Sequence, residues 1–137
     1  MSKKYSFIIL LLFIIFFLIY KTSLPFIWIY YHENNKYPYI DLCIKSIYKY
    51  CSKDFNIKVL NKNTVNNYLF NLINNIDKLT LSEKVSYYKF NILYKYGGIW
   101  IEPDTIIFKN LNKIYKNLEF YDFIGSGCYL DFCKDLE

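Results

Sequence analysis

The hydrophobic pattern along the chain changes period several times, and each change marks an element. Residues 5–20, YSFIILLLFIIFFLIY, are uncharged and apolar on every side, between Lys3 and Lys4 before them and Lys21 after. At about 1.5 Å of rise per residue the run spans roughly 24 Å, which interfacial Tyr5 and Tyr20 and flanking lysines extend toward a hydrocarbon core. A secretory cleavage site needs small residues after the run, but Lys-Thr-Ser-Leu-Pro follows. The pattern therefore predicts an uncleaved signal anchor over 5–21, with a cytoplasmic tail over 1–4 and an extracytoplasmic domain over 24–137.

The rest alternates short β-rich runs with helical periods. Leu24 to Tyr31, LPFIWIYY, predicts a buried strand. Pro38 suits a first helical turn, and Ile40, Cys43, Ile44, Ile47 and Cys51 follow at helical spacing. Asn56 to Leu60 predicts a second strand. Asn63 or Thr64 is placed to cap a helix bearing Val65, Tyr68, Leu69, Leu72 and Ile76 on one face. Thr80-Leu-Ser-Glu83 has the form of a capping box. The helix after it carries Leu81, Val85, Tyr88, Ile92, Leu93 and Tyr96 on one face and stops at Gly97. A last β-rich run covers 98–108. This β-α-β-α-α-β order predicts an α/β layered domain.

Composition changes the picture in two ways. With 54% apolar and 22% aromatic residues, the chain is excluded from the disordered class. The net charge of +5 comes from lysines spread along the chain among acids, in a composition weighted toward AT-rich codons. Nucleic-acid binding wants basic residues gathered on one face, so no nucleic-acid partner is expected. The four cysteines form no C-x-x-C, which leaves zinc and dithiol readings without support. Cys43 and Cys51, eight residues apart on a helix, are too far apart to bridge, and free thiols are expected.

Candidate chemistry lies in Tyr94-Lys-Tyr-Gly-Gly-Ile-Trp-Ile-Glu-Pro-Asp-Thr105. A helix ends in two glycines, a hydrophobic strand follows, and two carboxylates stand at i and i+2. In extended backbone that spacing puts Glu102 and Asp104 on one face, and Pro103 biases Glu102 toward extended conformations. Two hard oxygen ligands at a strand end suit Mg²⁺ or Mn²⁺, with phosphates completing the shell. His32, the single histidine, reads as a polar loop residue, and no residue is assigned as a catalytic base.

LPFIWIYYH with PYIDLCIKSI, and YKYGGIWIEPDTII, resemble glycosyltransferases with a DXD sugar-binding motif, a group that includes capsular polysaccharide synthesis proteins and initiating mannosyltransferase-like enzymes. The resemblance covers about residues 24–125. It implies a partial GT-A-like nucleotide-diphospho-sugar transferase fold and transfer of a sugar from a nucleotide-sugar donor to a glycan acceptor. It further implies that Trp28 or Ile29 lies by the nucleotide base, that Glu102 and Asp104 bind metal and donor diphosphate, and that Gly97 and Gly98 shape the approach to the donor. Where the family carries an Asp and an Arg three apart, this chain has Ser86 and Lys89. Lys89 keeps the charge without the planar fork, and Ser86 lacks a carboxylate for the donor sugar. Two readings follow: an active metal-dependent transferase, or a catalytically impaired, membrane-tethered remnant that retains donor binding. Family members extend well past the acidic pair, so the chain is expected to represent the donor-binding half.

Overall fold

The computed structural model describes residues 5, 8, 9, 11–13, 24–33, 37–70, 73 and 75–125. Most of the candidate anchor over 5–21 lies outside them, as do Cys128 and Cys133. Among the described residues no helix is long and apolar enough to cross a membrane.

Three parallel strands form the sheet, β1 (Phe26–Tyr30), β2 (Asn56–Leu60) and β3 (Ile99–Ile101), in the order β2-β1-β3. The register sets Trp28 beside Lys58 and Trp100, and Ile29 beside Val59 and Ile101. β1 is central, and its period-2 alternation supplies both faces. Ile27 and Ile29 meet Ile40, Ile44, Ile47 and Cys51 of helix α1 (Pro38–Cys51), together with Phe55 and Ile101. Trp28 and Tyr30 meet Leu60, Val65, and Tyr88 and Ile92 of helix α2 (Leu81–Tyr96). One helix therefore covers each face of the sheet. The α/β class inferred from the pattern holds, and the arrangement is consistent with a partial GT-A-like fold.

Local signals explain the boundaries. α1 starts with Pro in its first turn, which gives up an amide that would have no helical partner. α2 has a complete capping box: the Glu83 amide donates to Thr80 Oγ1 at 3.4 Å, and the Thr80 amide donates to Glu83 Oε2 at 2.8 Å. α2 ends at Gly97, whose amide still donates to the Leu93 carbonyl. Cys43 and Cys51 are free and buried, and burial pushes the Cys51 thiol up.

Two expected elements are corrected. The helix expected after Asn63 or Thr64 is a single 3-10 turn, Val65–Tyr68, followed by extended Leu69 and a second short turn, Ile76–Lys78. The Asn61 carboxamide accepts from the Asn63 and Thr64 amides, while the Thr64 hydroxyl accepts from the Asn61 amide. These side chains close a local turn that competes with helix, and Asn66 and Asn67 add little helical preference. The apolar residues still face inward: Val65 is buried, and Tyr68, Leu69 and Ile76 pack around the Trp28 cluster. The last β-rich run is strand over only three residues, because a turn begins at Glu102.

Candidate functional site

Parallel α/β sheets gather ligands beyond the carboxyl ends of their strands. Glu102 is the first residue past β3, and a turn over 102–105 follows, closed by the Thr105 amide donating to the Glu102 carbonyl at 3.1 Å. Pro103 takes the second turn position, where its fixed φ is favourable. This corrects the extended i, i+2 geometry: a turn, not strand pleat, presents Glu102 and Asp104. Both are exposed.

Side chains from three elements converge here. Lys89 of α2 reaches Glu102 with Nζ 2.9 Å from Oε1. The Trp100 indole N–H donates to the same oxygen at 3.2 Å. Both donors meet Oε1, so Oε2 carries neither. Tyr39, in the first turn of α1, donates its hydroxyl to the Asp104 carbonyl at 3.0 Å. The chain beyond the turn is strapped along α1: the Ile107 amide donates to Ser46 Oγ at 2.9 Å, and Asn110 Nδ2 donates to the Tyr50 carbonyl at 2.8 Å and Asp54 Oδ2 at 2.7 Å. These bonds hold the acidic turn between the start of α1 and the middle of α2.

Of the residues singled out from sequence, the fold brings Lys89 and Glu102 into contact and sets Asp104 two residues on. Ser86 is exposed, one turn before Lys89 on α2. Trp28 and Ile29 are wholly buried. Trp28 stacks on Phe26, with ring centroids 4.8 Å apart, and its indole N–H donates to the Gly97 carbonyl at 2.9 Å. Both side chains are core, and the fold does not bring them to the acids. Gly97 and Gly98 lie at the other, amino end of β3. Gly97 has φ 63° and ψ −160°, a region essentially restricted to glycine. Gly98 has φ 97°, and a Cβ there would stand 2.4 Å from the Phe26 carbonyl oxygen.

Two contributors escaped the sequence reading. Trp100 precedes Glu102 by two positions, so strand alternation was the available signal. Tyr39 is one of 16 tyrosines, and nothing local marks it out. Apart from the acidic turn, at the carboxyl end of β1, the Tyr30 hydroxyl lies 3.0 Å from Nδ1 of His32, the histidine read from sequence as a polar loop residue. Burial, and secondarily Tyr88, pushes the Tyr30 phenol up to about 12, so it keeps its proton at neutral pH.

Among the described residues no group of three or more His, Cys, Asp or Glu side chains stands ready to hold a metal. Two carboxylates on a turn fit a divalent cation that completes its shell with ligand phosphates and water.

A parallel sheet with a helix on each face and two exposed acids just past a strand end defines an α/β protein with its candidate site at the carboxyl edge of the sheet. The sequence profile of one family, the glycosyltransferase sugar-binding region containing DXD motif, matches residues 27–121, and the chain belongs to that family. No curated protein and no solved structure matches the chain.

Proposed function

We propose that this protein transfers a sugar from a nucleoside-diphosphate sugar to a hydroxyl of a glycan or polysaccharide acceptor. The bond from the anomeric carbon to the diphosphate oxygen breaks, and a bond from that carbon to the acceptor oxygen forms. The nucleoside diphosphate leaves, and the acceptor proton passes to solvent or to a base not assigned among these residues. Glu102 and Asp104 would hold Mn²⁺ or Mg²⁺, which when bound offsets charge on the departing diphosphate. The turn over 102–105 presents the two carboxylates, Trp100 orients Glu102, and Tyr39 fixes the backbone at Asp104. The observation that carries this reading is the family's acidic pair standing immediately past a parallel strand.

A second reading is favoured by Ser86, which leaves α2 without a carboxylate at the sugar-facing position implied by the resemblance. On that reading the chain binds the donor and does not turn it over. The proposal also includes a single-pass anchor over 5–21, with the domain extracytoplasmic, supported by the uncharged run between lysines.

Both readings are tested by incubating the full chain with UDP- and GDP-sugars and Mn²⁺ and measuring donor binding and nucleotide release. Asp104→Ala serves as the comparison. Transfer or hydrolysis in wild type, reduced at least tenfold in the variant (about 1.4 kcal/mol), supports the enzyme. Binding without release supports the remnant. Absence of donor binding in both proteins overturns the proposal.

A further inference from the structure

We propose that the amino edge of the sheet docks on a phospholipid bilayer, with an acyl chain entering an apolar pocket there, so that the acidic turn faces away from the membrane. The inference rests on the anchor reading above and goes beyond it by assigning a membrane-contacting surface and an orientation to the domain itself.

Three observations carry it. First, an open pocket of about 490 Å³ lies at the amino edge, the opposite end of the strands from the acids. Leu24 and Phe26 line it from the start of β1, Asn56 and Ile57 from the start of β2, and Tyr48 and Ser52 from the end of α1. The Asn56 amide donates to the Pro25 carbonyl at 2.8 Å and ties the two strand starts together. The lining is mostly apolar, and Leu24 and Tyr48 remain 45% and 44% exposed. Second, covalent reach brings this pocket to the membrane. The apolar run ends at Tyr20, and Leu24 is four residues on. At about 3.6 Å per residue, the chain between them spans no more than roughly 14 Å. The headgroup layer on each side of a bilayer is roughly 5–8 Å deep. With Tyr20 at the hydrocarbon boundary, Leu24 and the pocket it lines stand within or just above the headgroups. Third, the rim has the make-up of an interface. Tyr48 offers an amphipathic ring. Lys49 and Lys53, each next in sequence to a lining residue, are exposed, while the neighbouring Asp54 already accepts from Asn110. Ammonium groups beside an apolar surface suit anionic headgroups.

The orientation bears on the substrate. The three strands run parallel, away from this edge. The five residues of β1, at about 3.3 Å each, set the carboxyl edge roughly 16 Å further from the bilayer. Glu102 and Asp104 then meet a glycan acceptor that extends clear of the membrane, not a hydroxyl at headgroup depth.

The experiment synthesises the full chain into vesicles of phosphatidylcholine and phosphatidylglycerol. A photoreactive p-benzoylphenylalanine stands in turn in place of Tyr48, Ser52, Glu33 or Phe90, and adducts formed on irradiation are identified by mass spectrometry. Glu33 samples the carboxyl edge, and Phe90, 64% exposed on α2, controls for apolarity alone. Circular dichroism confirms folding, with two pocket positions in case one variant does not fold, and resistance to alkaline extraction reports the anchor. The expected result is phospholipid adducts from positions 48 and 52 and none from 33 or 90. Extraction-resistant protein that forms no lipid adducts at 48 and 52, or equal adducts at 33 or 90, overturns the docking and leaves the anchor standing. Adducts to a second copy of the chain in place of lipid do the same. Protein released by alkaline extraction overturns the anchor, and the docking with it.

Discussion

The two ends of β3 are three residues apart and are built by opposite means. At the amino end, Gly97 and Gly98 are fixed by backbone geometry: both have positive φ, and Gly98 lies against the Phe26 carbonyl. At the carboxyl end, Glu102 and Asp104 are exposed and held by side chains, Lys89, Trp100 and Tyr39. The first end is a packing requirement. The second is a set of replaceable polar contacts around an open surface. Within one motif, then, the glycines set where the strand runs, and the acids offer chemistry where it stops.

The sharpest way to break this comparison is to put a side chain at the glycine end. Gly98→Ala brings a Cβ within 2.4 Å of backbone oxygen and also strains φ. Its expected cost is about 3–5 kcal/mol, combining overpacking with a disfavoured backbone region. Gly97→Ala meets nothing within 4 Å, so only the backbone term applies, about 1–3 kcal/mol. Denaturant unfolding of the full chain, followed by tryptophan fluorescence, should rank them in that order. Equal midpoints would mean that the close approach to Phe26 does not govern this end.

An effect below that of Gly98→Ala and comparable with that of Gly97→Ala is expected from Trp28→Phe. The ring is retained as a buried aromatic, but the Gly97 carbonyl loses the indole N–H that reaches it at 2.9 Å. Leaving that acceptor unpaired should cost about 1–3 kcal/mol. Trp28 is wholly buried and bonded to the glycine end, whereas Lys89 meets Glu102 at the exposed turn, so nucleotide binding should change little. A nucleotide affinity that falls with Trp28→Phe as steeply as with Asp104→Ala would make the two ends one functional unit, against the comparison drawn here.

Much of this was legible in the sequence because the signals were local. Pro38, the Thr80–Glu83 box and the Gly97 stop each act within one helical turn, and their elements begin and end where they indicate. The unbroken aromatic and β-branched run Phe26-Ile-Trp-Ile-Tyr30 correctly implied a buried strand. The stretch after Asn61 misled because its apolar spacing is helical while its polar residues are turn formers: the side-chain bonds of Asn61 and Thr64 close the turn. The acidic pair was legible as chemistry but not as geometry. The spacing of Glu102 and Asp104 does not reveal that β3 stops at Ile101, since that depends on the strap along α1 made by Tyr39, Ser46 and Asn110. The pairing of Lys89 with Glu102 is also a tertiary fact, thirteen residues apart in sequence.

The smallest effect concerns α2, which links the two ends by carrying Lys89 on its side and Gly97 at its stop. Thr80 caps it, and Glu83 answers the cap: the Thr80 hydroxyl first, and its amide second, hold the Glu83 carboxyl below its ordinary value of 4.5. Because the folded value is depressed, this contribution is present above the ordinary value and is lost as pH falls through the folded one. Thr80→Ala should therefore lower stability by about 1 kcal/mol near neutrality, and the difference from wild type should shrink in acid as Glu83 protonates. Melting curves of both proteins between neutral and acidic pH would measure it. A difference constant with pH would show that the hydroxyl acts on the helix amides alone, without the reciprocal bond from Glu83. The position of Thr80 also makes the outcome informative for the comparison. It lies about five turns before the Gly97 stop but only about two and a half before Lys89, so fraying from this cap should reach Lys89 at the acidic end before it disturbs the packed glycine end.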